Sequence, residues 1–199
     1  MVIQPTFGDG LAVDVLNSLD DYVVATVEEP WQLLEGKLTN KPSQVLYNMD
    51  MDEGHLNALA DSFSRLLSDS TTIVGIGGGS SCDTAKFLAW KLREDHEIEL
   101  DLVLIPSIIS VDAFLCSSIA VRDERKVKYV GESSPEQIVI DYDLIKKAPK
   151  HLNRAGVSDT ISITSALGDW KIAKEEKGER FDQNVFEKAR KIAVDLMAT

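Results

Sequence analysis

The sequence predicts an α/β fold, a mostly parallel sheet with helices on both faces, followed by the beginning of an all-α domain. Three features carry this reading. Short apolar, β-branched runs alternate with segments of helical period up to residue 141. One of these runs ends in consecutive glycines, Gly77, Gly78 and Gly79, that open directly onto a helical pattern. From Tyr142 onward every periodic segment is helical and no run reads as a strand.

Taken in order, residues 22–27 (Tyr-Val-Val-Ala-Thr-Val) form a buried strand and residues 44–47 a weaker one. Residues 53–67 place Leu56, Leu59, Ala60, Phe63, Leu66 and Leu67 at helical spacing, the stripe of a helix lying on a sheet. A strand over 72–76, a helix over 81–92 and a strand over 101–105, stopped by Pro106, continue the alternation. Residues 117–121 and 126–130, joined by Arg122-Asp123-Glu124-Arg125, read as a hairpin with a charged turn. Residues 138–141 are the last strand, and 143–148, 159–174 and 181–196 have helical period. The expected division is 1–144 for the α/β domain and 145–199 for an incomplete helical domain, because so few amphipathic helices leave their apolar stripes short of partners. Such alternation puts ligands at the carboxyl ends of the strands, where the glycines lie.

Composition narrows the function classes. Lys and Arg number 21 against 33 Asp and Glu, a net charge of −12 that disfavours binding to nucleic acid or anionic lipid. No window approaches the ~18 apolar residues of a membrane span. Met1-Val2-Ile3-Gln4-Pro5 lacks the basic and apolar regions of a signal peptide, and two cysteines cannot staple a chain of 199 residues, so the expected compartment is the cytoplasm.

The run Val74-Gly75-Ile76-Gly77-Gly78-Gly79-Ser80-Ser81-Cys82-Asp83-Thr84-Ala85-Lys86 is either a tight connection or an anion cradle. Residues without side chains let the backbone approach a phosphate, and the helix start offers unpaired N–H groups with about half a unit of positive charge. The spacing is neither G-x-G-x-x-G nor a G-K-[ST] ending. Ser80 and Asp83 stand at capping-box spacing, which predicts that Asp83 turns back onto the cap and away from an anion.

This G-G-G-S-x-x-D-x-A-K pattern resembles the pyrophosphate loop of the iron-dependent alcohol dehydrogenase, glycerol dehydrogenase and dehydroquinate synthase superfamily. Pro106-Ser107-Ile108-Ile109-Ser110-Val111-Asp112-Ala113-Phe114, then Ala155-Gly156-Val157-Ser158-Asp159, and then Ala166-Leu167-Gly168-Asp169-Trp170-Lys171-Ile172-Ala173 are similar to its glycerol-1-phosphate dehydrogenase branch. The resemblance covers about residues 20–180. It implies a Rossmann-like fold, and NAD or NADP held by Gly77, Gly78, Gly79, Ser80, Ser81 and Asp83. It also implies a catalytic zinc or iron, and hydride transfer to the carbonyl of a phosphorylated ketone such as dihydroxyacetone phosphate. The partner is then a small phosphorylated polyol or ketone, which needs local positive charge in an acidic chain; association as a homo-oligomer stays open.

Individual residues carry two readings each. Asp159, after Gly156 at an expected helix start, is a cap by its position and the first metal ligand by resemblance. His55, His96 and His151 all precede it, none at the spacing of a ligand pair, so the two histidines that complete the family's site are expected beyond Thr199. A chain that binds dinucleotide without turnover, or only associates with a full-length relative, is the rival reading; glycerol dehydrogenase, a primary alcohol dehydrogenase and a carbocycle-forming synthase such as dehydroquinate synthase are the enzyme alternatives. Asp112 is a turn residue by composition and lies beside nicotinamide and substrate by resemblance, flanked by Ser107 and Ser110 in the positions of cofactor-holding hydroxyls. Lys128 belongs to a solvated strand face or, if the substrate carries phosphate, to its anion. Glu28 either binds the adenine ribose or is a helix-start acid before Pro30 at the first helical position, which leaves NAD versus NADP open. Trp170 and Cys82 are read as packing, and the sequence offers no identifiable partner for Cys116.

Overall fold

A computed structural model of the chain describes residues 3–67, 70–124 and 126–198. Met1 and Val2 of the N-terminal stretch, Arg125 of the expected turn, and Thr199 lie outside the described residues. The chain divides into two compact units, Met1–Ala148 and Pro149–Thr199.

The first unit is built on six parallel strands in the order β3-β2-β4-β5-β8-β1: β1 (Thr6–Gly8), β2 (Tyr22–Thr26), β3 (Gln44–Tyr47), β4 (Thr72–Gly77), β5 (Asp101–Pro106) and β8 (Gln137–Asp141). The central strands are buried on both faces, which explains their unbroken apolar character. Alternate residues feed two cores. Val23, Ala25, Ile73, Leu102 and Leu104 pack with Leu56, Ala60 and Phe63 of α3 (Glu53–Phe63) and with Ala85, Leu88 and Leu92 of α4 (Gly79–His96). Tyr22, Val24, Val74, Ile76, Val103 and Ile105 face the other way, onto Ala12 and Leu16 of α1 (Leu11–Ser18), Trp31 of α2 (Glu28–Gln32) and Leu144 of α5 (Tyr142–Lys147). From β2 the chain runs outward to β3 and returns to β4 on the opposite side, so the strand order reverses between β2 and β4 and a crevice opens at their carboxyl ends.

Gly75 sets how closely α4 approaches the sheet: a Cβ there would lie 2.9 Å from both Ala85 Cβ and Leu104 Cδ2. The hairpin is a separate two-stranded antiparallel sheet, β6 (Ser118–Asp123) with β7 (Lys126–Glu132). It lies against α4, where the Trp90 ring occupies the space a side chain at Gly131 would need.

Strand β1 and helix α1 were not among the expected elements, and one residue explains how they attach. The Asp141 carboxylate accepts from the N–H groups of Gly10 and Ala12 at 3.2 and 2.9 Å, and from those of Asp143 and Leu144 at 2.8 and 3.4 Å. A single carboxylate, 2 % exposed, thus serves the N-termini of α1 and α5 together. Helix α5 is part of the first unit.

The second unit consists of α6 (Lys150–Lys177) and α7 (Gln183–Met197). Gly178, in the left-handed conformation, ends α6, and Trp170 closes the hairpin: its ring stacks 4.7 Å from Phe181 and its Nε1 donates to the Arg180 carbonyl at 2.8 Å. Among the described residues no helix is long and apolar enough to cross a membrane.

Candidate functional site

The glycine turn lies at the carboxyl end of β4, beside the point where the strand order reverses. Gly77 has φ +148°, and a Cβ there would fall 2.3 Å from Ser81 Oγ. A Cβ at Gly78 would meet Ile108 Cδ1 at 3.1 Å, whereas one at Gly79 would be 3.8 Å from Val111 Cγ1, an ordinary contact. The 107–111 segment therefore borders the turn, and the Ser107 N–H donates to the Gly77 carbonyl at 2.9 Å.

Helix α4 begins earlier than the spacing predicts, with Gly78 as its N-cap, no side-chain cap and no acidic residue in its first turn. This corrects the capping-box expectation: Ser80 and Asp83 lie inside the helix rather than at its boundary. Asp83 is buried and pairs with Lys86 at 2.7 Å. Burial pushes its carboxyl up, opposed by the Lys86 ammonium and the Ala120 N–H. Asp83 thus faces the protein interior and not a ligand over the turn. The Ser81 hydroxyl, fully buried beneath Gly77, has no hydrogen-bond partner among the described residues. An uncapped helix start, a backbone stripped of Cβ atoms and an orphaned buried hydroxyl together suit a phosphate group. The residues present fit the pyrophosphate of a dinucleotide.

Glu28 and Glu29 are exposed on the first turn of α2, just past β2, and with Val27, Tyr47, Asn48 and Met49 they line a cavity of about 260 Å³ beyond the ends of β2 and β3. Pro30 is the third residue of α2, not the first, so the acids themselves open the helix. A larger cavity of about 680 Å³ lies at the opposite end of the sheet, at the start of β5; Glu97, Glu99, Asp101 and Glu136 line it, a poor setting for an anionic ligand.

Asp112 follows β5 in an exposed turn, with its backbone carbonyl accepting from Leu115 N–H at 2.7 Å and its carboxylate 3.7 Å from Cys116 Sγ. Ser110 is half-buried in the same segment. The Cys116 thiol is held above its ordinary range by burial and by the Asp112 carboxylate, and complete burial pushes the Cys82 thiol up to about 12. Lys128 departs from the phosphate role: it pairs with Glu53 at 2.8 Å on the exposed side of the hairpin, and that carboxylate raises its pKa.

Asp159 does not cap a helix. It is exposed well inside α6, because the helix already starts at Lys150 and runs through Gly156. Among the described residues no three or more His, Cys, Asp or Glu side chains gather as a group able to hold a metal ion. The donor set present does not make a zinc or iron site, which needs about three protein ligands.

The residue that sequence reasoning passed over is Lys86. Its side chain is fully buried, and its ammonium reaches Asp83, the Ser118 carbonyl at 2.7 Å and the Cys116 carbonyl at 3.1 Å. A lysine following Asp83 by one helical turn was the available signal.

The fold and its glycine turn define a Rossmann-like α/β protein with helices on both sheet faces. The chain belongs to the iron-containing alcohol dehydrogenase family, whose family model matches residues 17–149. It is 30 % identical over 169 residues to a glycerol-1-phosphate dehydrogenase [NAD(P)+] of Methanococcus maripaludis strain C6, covering 83 % of this chain and 46 % of that protein. The corresponding protein of Methanococcus aeolicus is 26 % identical over 185 residues, 92 % of this chain and 51 % of its own length. Among solved structures, a probable glycerol dehydrogenase from Sinorhizobium meliloti 1021 superposes with a TM-score of 0.64 at 21 % identity, covering 79 % of this chain and 44 % of that one. An NADH-dependent butanol dehydrogenase A from Thermotoga maritima gives 0.66 at 13 % identity, covering 81 % and 48 %. At these identities the structures share the fold. The chain spans about half the length of the curated relatives it matches.

Proposed function

We propose that the first unit binds NAD(H) or NADP(H), as part of a polyol dehydrogenase that interconverts glycerol 1-phosphate and dihydroxyacetone phosphate. The observation that carries the cofactor assignment is the uncapped start of α4 with the buried, unpartnered Ser81 hydroxyl beneath it. The pyrophosphate is assigned to Gly77, Gly78, Gly79, Ser80 and Ser81, the ribose of the adenosine to Glu28 beside its cavity, and the nicotinamide end to Ser107 and Ser110. When bound, the nicotinamide supplies or accepts the hydride. Asp112 orients the substrate hydroxyls. The names of the curated relatives support both the NAD(P) dependence and the phosphorylated substrate.

We assign this chain cofactor binding and substrate orientation, and route no step through a metal, because Asp159 belongs to no group of three or more potential ligands among the described residues. Calorimetry with NADH and NADPH tests the cofactor assignment. Micromolar binding that is abolished by Gly78→Val, a replacement that sets bulk against Ile108 at the turn, is the expected result. Unchanged affinity in a folded Gly78→Val protein would remove the assignment.

A further inference from the structure

We propose that Lys86, paired with Asp83, is a positioning residue that latches the Asp112 segment onto the helix that begins at the glycine turn; the role of that segment rests on the assignment of Asp112 to substrate. A fully buried ammonium is a poor way to fill space, since an apolar side chain of similar volume avoids its desolvation. Its value lies in direction. The ammonium donates to the carbonyls of Cys116 and Ser118 and forms a 2.7 Å ion pair with Asp83 Oδ1, which has no other hydrogen-bond partner among the described residues.

The geometry of β6 explains why a charged pair is used. Among the described strands β6 has one neighbour, β7; its other edge is bridged at Arg122, whose N–H donates to the Met51 carbonyl at 2.7 Å, and nearer Ser118 that edge turns its backbone to α4. On that edge the Ser118 carbonyl accepts from Lys86 at 2.7 Å, and the Ala120 N–H lies close enough to the Asp83 carboxylate to favour its charged form. The charged pair thus faces both kinds of backbone group on that edge, a carbonyl and an N–H two residues apart. Gly79, Asp83 and Lys86 recur at the i, i+4, i+7 spacing of a single helix face. Val111 lies over Gly79 at the top of this face, and Cys116 is bound by Lys86 lower down. Asp112 is between them, with its carboxylate touching the Cys116 thiol. The cofactor turn and the substrate carboxylate are thereby referred to one rigid element.

Hydrogen exchange followed by mass spectrometry on Lys86→Met tests the latch. Exchange over residues 112–120 is expected to quicken about tenfold or more, the effect of losing hydrogen bonds from a charged donor, while β4 and β5 keep their protection. Unchanged exchange over 112–120 overturns the proposal, as does acceleration spread equally over β4 and β5, which would mean a core role only. A binding measurement separates positioning from folding. NAD+ affinity should stay within about threefold, whereas dihydroxyacetone phosphate added to the NAD+-loaded protein should bind at least tenfold more weakly. If the unaltered protein does not bind dihydroxyacetone phosphate, the substrate assignment fails and the exchange data alone decide the latch. Should Lys86→Met not fold because Asp83 is left charged and unpaired, Asp83→Asn/Lys86→Met removes both charges and takes its place. Loss of folding in both variants overturns the positioning role.

Discussion

Gly79→Ala should make the protein more stable and a poorer binder of cofactor. The added methyl would find only Val111 Cγ1, at 3.8 Å, and Gly79 opens a helix without a left-handed φ. Replacing glycine where alanine fits removes freedom from the unfolded chain, a gain of up to about 1 kcal/mol, or roughly 2–4 °C in Tm at this size. On the proposed placement of the pyrophosphate, the same methyl stands where a phosphate has to approach the backbone. Losing one or two charge-assisted hydrogen bonds of about 1.5–3 kcal/mol each weakens NADH binding ten- to a hundredfold or more. Calorimetric titration together with scanning calorimetry reads both quantities in one preparation. Gly77→Ala is the control: its φ of +148° and the 2.3 Å approach to Ser81 Oγ should lower stability by about 1–3 kcal/mol as well as affinity. NADH affinity in Gly79→Ala within threefold of the parent would refute the placement of the pyrophosphate.

Lys128→Ala should change affinity for cofactor and for dihydroxyacetone phosphate by less than about threefold, since an exposed pair with Glu53 contributes little; a tenfold selective loss of the phosphorylated ketone would return Lys128 to the site. At pH 8 a thiol reagent should label Cys116 and leave Cys82 intact. The Asp112 carboxylate raises the Cys116 pKa, so Asp112→Asn lowers it, increases the thiolate fraction at pH 8 and speeds labelling; a slower rate contradicts the contact. Asp141→Ala strips N-terminal caps from two helices and should lower stability by about 2–4 kcal/mol in a denaturant titration, with a loss under 1 kcal/mol arguing against the shared cap.

Most of the first unit was legible because its strands are short continuous apolar runs and its helices carry one-sided stripes, as in Tyr22–Thr26 and Glu53–Phe63. What stayed hidden depends on tertiary contacts. β1 (Thr6–Gly8) is three residues long and has meaning only beside β8. The first turns of α6 contain Gly156 and Ser158, which favour a boundary by local propensity, yet the helix runs through them from Lys150. Within the site, the glycine turn was readable from spacing because backbone conformation restricts which residues fit. Asp83 was misread because a capping pattern and a buried ion pair share a carboxylate at the same position. Lys86 stands one helical turn on, but only the fold buries the pair and brings the Cys116 and Ser118 carbonyls to the ammonium.

The carboxylate shared between α1 and α5 ties the two ends of the first unit into a single event during synthesis. Asp141 and Gly10 are 131 positions apart, and β1 has no strand to pair with until residues 137–141 have left the ribosome. Residues 6–12 are therefore among the last of this unit to be placed, although they precede the rest of it in the chain. Until then the sheet edge at β5 and the apolar side of α1 wait in solvent, and that interval is when a chaperone or a second nascent chain has its opportunity to bind.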